Sequence, residues 1–298
     1  MNPVFAVPLY EAGMDPISVL FFRYLFGIPA IWLLMRLRGR TAAIGSRLVM
    51  RISLLGLLMV ASSITLFLSY DAADIGVAST ILFVYPLMVA LIMVMFYHEI
   101  LSFMSYLCML GALAGVFLLS GTATGAVISL SAVILVLISA LCYAVYIVLV
   151  NHKPFRSVAT LSLTFWILVS GLVVLAAVVG IRGSLVCPTT GSMWFNSIMI
   201  AIVPTVISFL FTNMAIEKIG ATPTAALGVF EPLTAVLFGV LLFNETLSLK
   251  GYIGIVLIMA CTTVVITRRD ITRRILAIRT LFPKAGRHHH RSKQSRRQ

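Results

Sequence analysis

The sequence predicts an all-α transmembrane protein, a ten-helix bundle made of two inverted five-helix repeats with a truncated first helix. Three observations predict it. First, 61% of the 298 residues are hydrophobic and only 10% are charged, with a mean hydropathy of +1.10; soluble domains run nearer half apolar and a quarter charged. Second, apolar runs near the length that crosses a bilayer, about 20 residues, follow one another along the chain. Third, part of the first half recurs in the second. Strand-like alternation is absent, which gives no support to a β-barrel.

In chain order the apolar spans cover 16–35, 49–70, 76–97, 101–121, 127–150, 158–180, 195–216, 222–243 and 249–267, after half a span at 1–11. The cutting points are clusters of turn-forming or charged residues: EAGMDP, RLRGRT, YDAADIG, GTATGA, NHKPFRS and RGSLVCPTTG. Span 127–150 has 24 residues, while its counterpart ending near LYEAG has about ten, which cover only about 15 Å of helix. The expectation is a first helix cut short by a late start.

The net charge of +13 is unevenly placed. Eleven of the 22 Lys and Arg lie in the tail, 268–298. With that tail in the cytoplasm and sides alternating back through the spans, the inner loops hold Arg36, Arg38, Arg40, Arg47, Arg51, Lys153, Arg156 and Lys218. Outside are only Arg182 and Lys250, and Arg23 lies within a span. Nineteen inside against two outside is a positive-inside signal, and it predicts both termini in the cytoplasm. In the tail, Ile271, Ile275, Ile278 and Phe282 recur at helical spacing between arginines, which reads as an anchor on anionic lipid headgroups. No base-reading module accompanies the charge, so nucleic acid is not an expected partner. Cys108, Cys142 and Cys261 fall within spans and Cys187 in an outer loop, with neither a disulfide framework nor zinc spacing. A phosphate-binding G-x-x-x-x-G-K-[ST] loop is also missing. No metal or other cofactor is expected.

PLMVALIMVMFYHEILSFMSY (86–106) aligns with PLTAVLFGVLLFNETLSLKGY (232–252) at an offset of 146, with eight of 21 positions identical. Leu and Val matches are common in membrane spans, so the weight rests on Pro86/Pro232, Glu99/Glu245, Ser102/Ser248 and Tyr106/Tyr252. The duplication divides the chain into 1–121, 127–267 and the basic tail 268–298. Five helices per repeat is an odd number, so the second copy enters the membrane from the opposite side. Such inverted repeats are a device of carriers, whose sites lie near the midplane between the copies.

Several stretches carry a family likeness: NPVFA, MDPISVLFFRYLFGIPA, DIGVASTILFVYPLMVALIMVMFYHEILS and IGATPTAALGVFEPLTAVLFGVLLFNETLS. They resemble the drug/metabolite transporter superfamily, specifically its EamA-type ten-helix members. The likeness spans nearly the whole chain, and the paired endings, Pro then Glu-x-Leu-Ser, are its most specific part. It implies a bacterial inner-membrane carrier, often an exporter of amino acids or other small metabolites, with helices around a cavity that faces each side in turn. The short first helix departs from the family pattern.

Glu231 lies nine residues past the start of its span, about 13 Å deep. A carboxylate there costs roughly 2.5–3.5 kcal/mol to insert and should face the bundle interior. It reads either as a proton or substrate site beside the kink of Pro232, or as a group that locks the kink by bonding backbone. Its mate is Tyr85, beside Pro86, and reads as a cavity group or as a packed tyrosine. Arg23 can meet a substrate carboxylate, or pair with an outer acid such as Asp15 or Asp71. Asn2, Asn213, Tyr143, Tyr146 and Trp166 are further candidates for a cavity wall, and Pro86 and Pro232 are candidate hinges. Glu99 and Glu245 read as helix caps, with Ser102 or Ser248 nearby. GALAG at 111–115 reads as packing within the bundle, with a dimer contact as the alternative.

These features favour a secondary carrier of a small molecule, driven by a proton or substrate gradient. An intramembrane enzyme would need a nucleophile–base pair or a metal set. The histidines outside the tail, His98 and His152, both fall at the membrane surface. A channel would present a selectivity ring.

Overall fold

The computed structural model describes residues 2–70, 78, 81–98, 103–120, 129–153, 155, 158–228, 230, 249, 250, 252–261 and 264. Helices account for its regular structure, and no strand occurs among the described residues. They are α1 (Asn2–Glu11), α2 (Pro16–Leu37), α3 (Ser46–Ser69), α4 (Tyr85–Tyr97), α5 (Phe103–Ser120), α6 (Leu130–Val150) and α7 (Thr160–Arg182). After them come α8 (Gly191–Ala201), a π-helical segment (Ile202–Ile207), α9 (Ser208–Ile219), α10 (Ala221–Leu227) and α11 (Tyr252–Cys261). By length and composition, five described helical stretches can cross a membrane: α2, α3, α6, α7 and the continuous run Gly191–Ile219. Their outer faces carry exposed Leu33, Leu54, Leu141, Val173 and Phe195, as expected where the solvent is lipid. The first helix has 10 residues, with Pro8 inside it.

Local chemistry explains where the helices start. The Asp15 carboxylate accepts from the N–H groups of Ile17 and Ser18 and so caps α2, while Pro16 supplies a pre-set first position. Thr190 caps α8 by accepting from Met193 N–H. The span expected over 76–97 contains a break rather than a bend: Ile81 and Leu82 are helical, Phe83 and Val84 form a turn, and α4 restarts at Tyr85. Pro86 has no N–H to continue the earlier helix. Instead, Leu87 and Met88 N–H converge on Val84 O.

Helix pairing follows a two-fold pattern. α3 packs against α6, and α8 packs against α1, which is the same pair with the repeats exchanged. The α3–α7 contact likewise answers α2–α8, while α2 packs on its own counterpart α7. Gly111 and Gly115 of α5 face α11: a Cβ on Gly111 would lie 2.7 Å from Cys261 Sγ, and one on Gly115 2.9 Å from Gly254 O. The small residues therefore serve close packing inside this bundle.

The α2–α7 pair fixes the inversion. Val186 N–H, beyond the end of α7, donates to Ser18 Oγ in the first turn of α2 at 3.0 Å. Arg182 reaches Asp15 at 3.2 Å. Ser162 Oγ, in the first turn of α7, donates to Thr41 O beyond the end of α2 at 3.0 Å, and Trp166 Nε1 donates to Ala42 O at 2.9 Å. Each start meets the other's finish, so the two helices run antiparallel.

Candidate functional site: a cavity between the repeats

A cavity of about 520 Å³ lies between the two halves. Its wall takes Arg23 from α2, Ser62, Ser63 and Phe67 from α3, and Tyr85 from α4. The other half contributes Tyr143 from α6, Pro204 from the π segment, Ser208 and Thr212 from α9, and Thr224 from α10. Hydroxyls, aromatic rings and aliphatic side chains thus line a cavity that holds one buried guanidinium.

Arg23 is only 4% exposed. Its Nε donates to Thr205 Oγ1 at 2.5 Å and its Nη2 to Pro204 O at 3.4 Å. The π segment creates this site. Pro204 lacks the N–H that an α-helix would give to Ile200 O, and Thr205 Oγ1 donates to that carbonyl instead, at 2.8 Å. The same hydroxyl then accepts from Arg23, so one threonine satisfies both a freed carbonyl and a buried cation. Charge-assisted bonds of this kind contribute about 1.5–3 kcal/mol. Asp15, considered above as an acid for Arg23, is spent on Arg182 and on the α2 cap; Asp71 lies outside the described residues.

Tyr85 is buried and lines the cavity. Its ring meets Tyr143 edge-on, with centroids 4.8 Å apart, and Tyr143 stacks on Tyr146 at 6.1 Å. The Tyr85 hydroxyl comes against Gly228, where a Cβ would sit 1.6 Å from Oη. A side chain at 228 would displace the Tyr85 phenol from its place, which ties the break at Pro86 to the second repeat.

Asn213 and Trp166 are placed elsewhere. Neither is on the wall of this cavity. Asn213 is buried between Tyr146, whose Oη donates to its Oδ1 at 2.7 Å, and Thr164, whose Oγ1 accepts from its Nδ2 at 3.0 Å. Its side chain is satisfied within the packing of α6, α7 and α9, and Tyr146 is held there with it. Trp166 is held by the loop after α2. Both are polar groups in apolar spans, and the spacing that placed them there does not say which side of a helix faces the cavity. Glu231, Pro232, Glu99, Glu245, Ser102 and Ser248 lie outside the described residues, as does the side chain of Asn2 and the tail.

Pro204 and Thr205 are not among the residues that the sequence singles out. A proline inside an apolar run was the available signal, the same one that drew attention to Pro86 and Pro232. Gly228 and the cross-repeat pair Ser62–Ser139, whose hydroxyls are 3.0 Å apart, gave no signal at all.

Residues 2–121 and 130–267 each match the EamA-like transporter family. The chain belongs to that family. It is a membrane transporter with the all-α, two-repeat fold of the EamA-like proteins. It is also 24% identical over 255 residues to the uncharacterized transporter YcbK of Bacillus subtilis (strain 168), covering 82% of this chain and 81% of that one. A solved crystal structure superposes with a TM-score of 0.74 at 18% identity, over 89% of this EamA-like chain and 92% of the other, a likeness of fold.

Proposed function

We propose that this EamA-like transporter is a secondary active carrier that exports a small metabolite, such as an amino acid, by alternating access. The observation that carries the reading is the cavity itself: both repeats line it, and it holds one buried guanidinium among hydroxyls and aromatic rings. Arg23 suits a carboxylate, and Tyr85 and Tyr143 suit an apolar or aromatic body. The halves 1–121 and 127–267 act as the two units that rock about this site, with Pro86 and Pro232 as their hinges. The arginine distribution supports a bacterial inner-membrane protein with both termini in the cytoplasm.

Glu231 is our candidate for proton coupling, on the sequence grounds of its depth and its place beside Pro232. The test is an export and uptake screen of metabolites in cells overexpressing the full-length protein, beside Glu231→Gln. A carrier shifts the distribution of one class of small molecule across the membrane. Glu231→Gln is expected to abolish the pH dependence of that shift. Unchanged transport at every pH rejects Glu231 as the coupling site, and no shifted metabolite rejects the exporter reading.

A further inference from the structure

The geometry points to a binding site for the phosphate headgroup of an anionic phospholipid on the loop between α2 and α3. Arg36, Arg38, Arg40, Arg47 and Arg51 fall within 16 residues there, and all five are exposed. Residues 16–70 contain no Asp or Glu, and no ion pair to any of the five occurs among the described residues. Among the described residues, this charge is not paired with an acid.

Three further observations make the patch a built surface rather than a loose basic loop. The loop is fixed in place, because Thr41 O and Ala42 O accept from Ser162 and Trp166 of α7. Arg36 stands over the ring of Trp32, 5.0 Å from its centroid, and Trp32 is itself 45% exposed. A cation over an indole at the end of an apolar helix is the arrangement found at the headgroup level of a bilayer. About one turn into each helix from Arg36 and Arg51, Leu33 and Leu54 turn outward, where acyl chains would lie. Charge above and apolar surface below match one molecule with an anionic head and hydrocarbon tails.

A loop can be tied at this place without arginines. The inverted copy of the loop, 183–190, is tied to α2 through Val186 N–H and Ser18 Oγ and carries no cation; the neighbouring Arg182 closes α7 and pairs with Asp15. Arg47 even sits in the first turn of α3, where the helix dipole disfavours a cation. Membrane topology explains why cations gather on this face; it does not explain a fixed loop with an arginine stacked on an exposed tryptophan.

The test uses the full-length protein in phosphatidylcholine vesicles containing a minor fraction of brominated phosphatidylglycerol, or of brominated phosphatidylcholine at the same fraction. Bromine quenches indole fluorescence at contact, and subtracting the signal of Trp32→Phe isolates Trp32. Excess quenching by the anionic lipid is expected. It should fall as salt rises and be lost in Arg38→Gln/Arg40→Gln/Arg47→Gln, about fivefold in affinity per arginine. The matching Arg→Lys variant keeps the charge and should keep the excess, which separates lost binding from lost folding. A full-length control with Arg268, Arg269, Arg273 and Arg274 changed to Gln should leave it intact. Equal quenching by the two lipids overturns the assignment. So does an excess that survives the loop variant, or one that vanishes with the tail arginines.

Discussion

At one end of the α2–α7 pair, Val186 donates its N–H to Ser18 and Arg182 reaches Asp15; at the other, Ser162 and Trp166 donate to Thr41 and Ala42. Ser18 and Ser162 are 144 residues apart and Thr41 and Val186 are 145 apart, close to the repeat offset of 146. The duplicated fold therefore fixes where the loop is tied, while the donor and acceptor have exchanged roles and the second bond has changed chemistry. A similar divergence separates the two crossings of a second helix over the other repeat's third. Where α2 meets the π segment, the space holds Arg23 and Thr205. Where α7 meets α3, Gly56 leaves no space, since a Cβ there would lie 2.0 Å from Ser170 Oγ and 2.8 Å from Ile167 O. One crossing is opened around a cation and lines the cavity, and the other is closed by a glycine. Symmetry builds the frame, and its local failures place the polar groups.

The closed crossing should be the more fragile. Gly56→Val drives a branched side chain against the Ile167 carbonyl, which no rotamer change relieves, so the helices must part. Overpacking of this kind costs about 3 kcal/mol. The expected outcome is the largest fall in Tm of purified protein, measured in one detergent; a Tm within error of wild type would mean that α3 and α7 do not approach this closely. At the open crossing, Thr205→Val keeps the shape but leaves Ile200 O and Arg23 Nε each short of a partner. About 2 kcal/mol is expected from such a loss. Thr205→Ser restores the hydroxyl and should recover most of the Tm, whereas equal loss in both variants would assign the effect to the methyl group instead.

The sequence exposed the frame because its signals are coarse and repeated. Hydrophobic length marks spans, and Pro86, Glu99, Ser102 and Tyr106 recur at one offset. Arg23, Tyr85 and Tyr143 were marked as candidates by polarity in an apolar run, and all three line the cavity. Asn213 and Trp166 are equally polar groups in apolar runs, yet they bond neighbouring helices and a loop. Polarity shows that a group needs a partner in the membrane, but only the rotation of its helix decides whether that partner is protein or cavity. The π segment was hidden for a related reason. It adds a residue to one turn without changing composition, and Pro204 looks like any other intramembrane proline until Thr205 and Arg23 are seen to complete it. At Pro86, a candidate hinge, the sequence marks the missing N–H and not whether the helix continues past it.

The two ends of the α2–α7 pair give the finest test. Trp166→Phe keeps an aromatic ring but removes the only donor to Ala42 O that the indole supplies, in a partly buried site. A loss of roughly 1 kcal/mol is expected, insensitive to salt. Arg182→Gln removes the charge of a pair whose side chains are 30% and 47% exposed, while the Asp15 carboxylate still caps α2. Exposed pairs contribute about 0.2–1 kcal/mol, and part of that is screened. Its Tm should fall by less than that of Trp166→Phe, and the gap to wild type should close as salt is raised. If Arg182→Gln proves the more damaging of the two, or its effect ignores salt, the ion pair is structural in a way its exposure does not suggest, and the two ties are closer in strength than their chemistry implies.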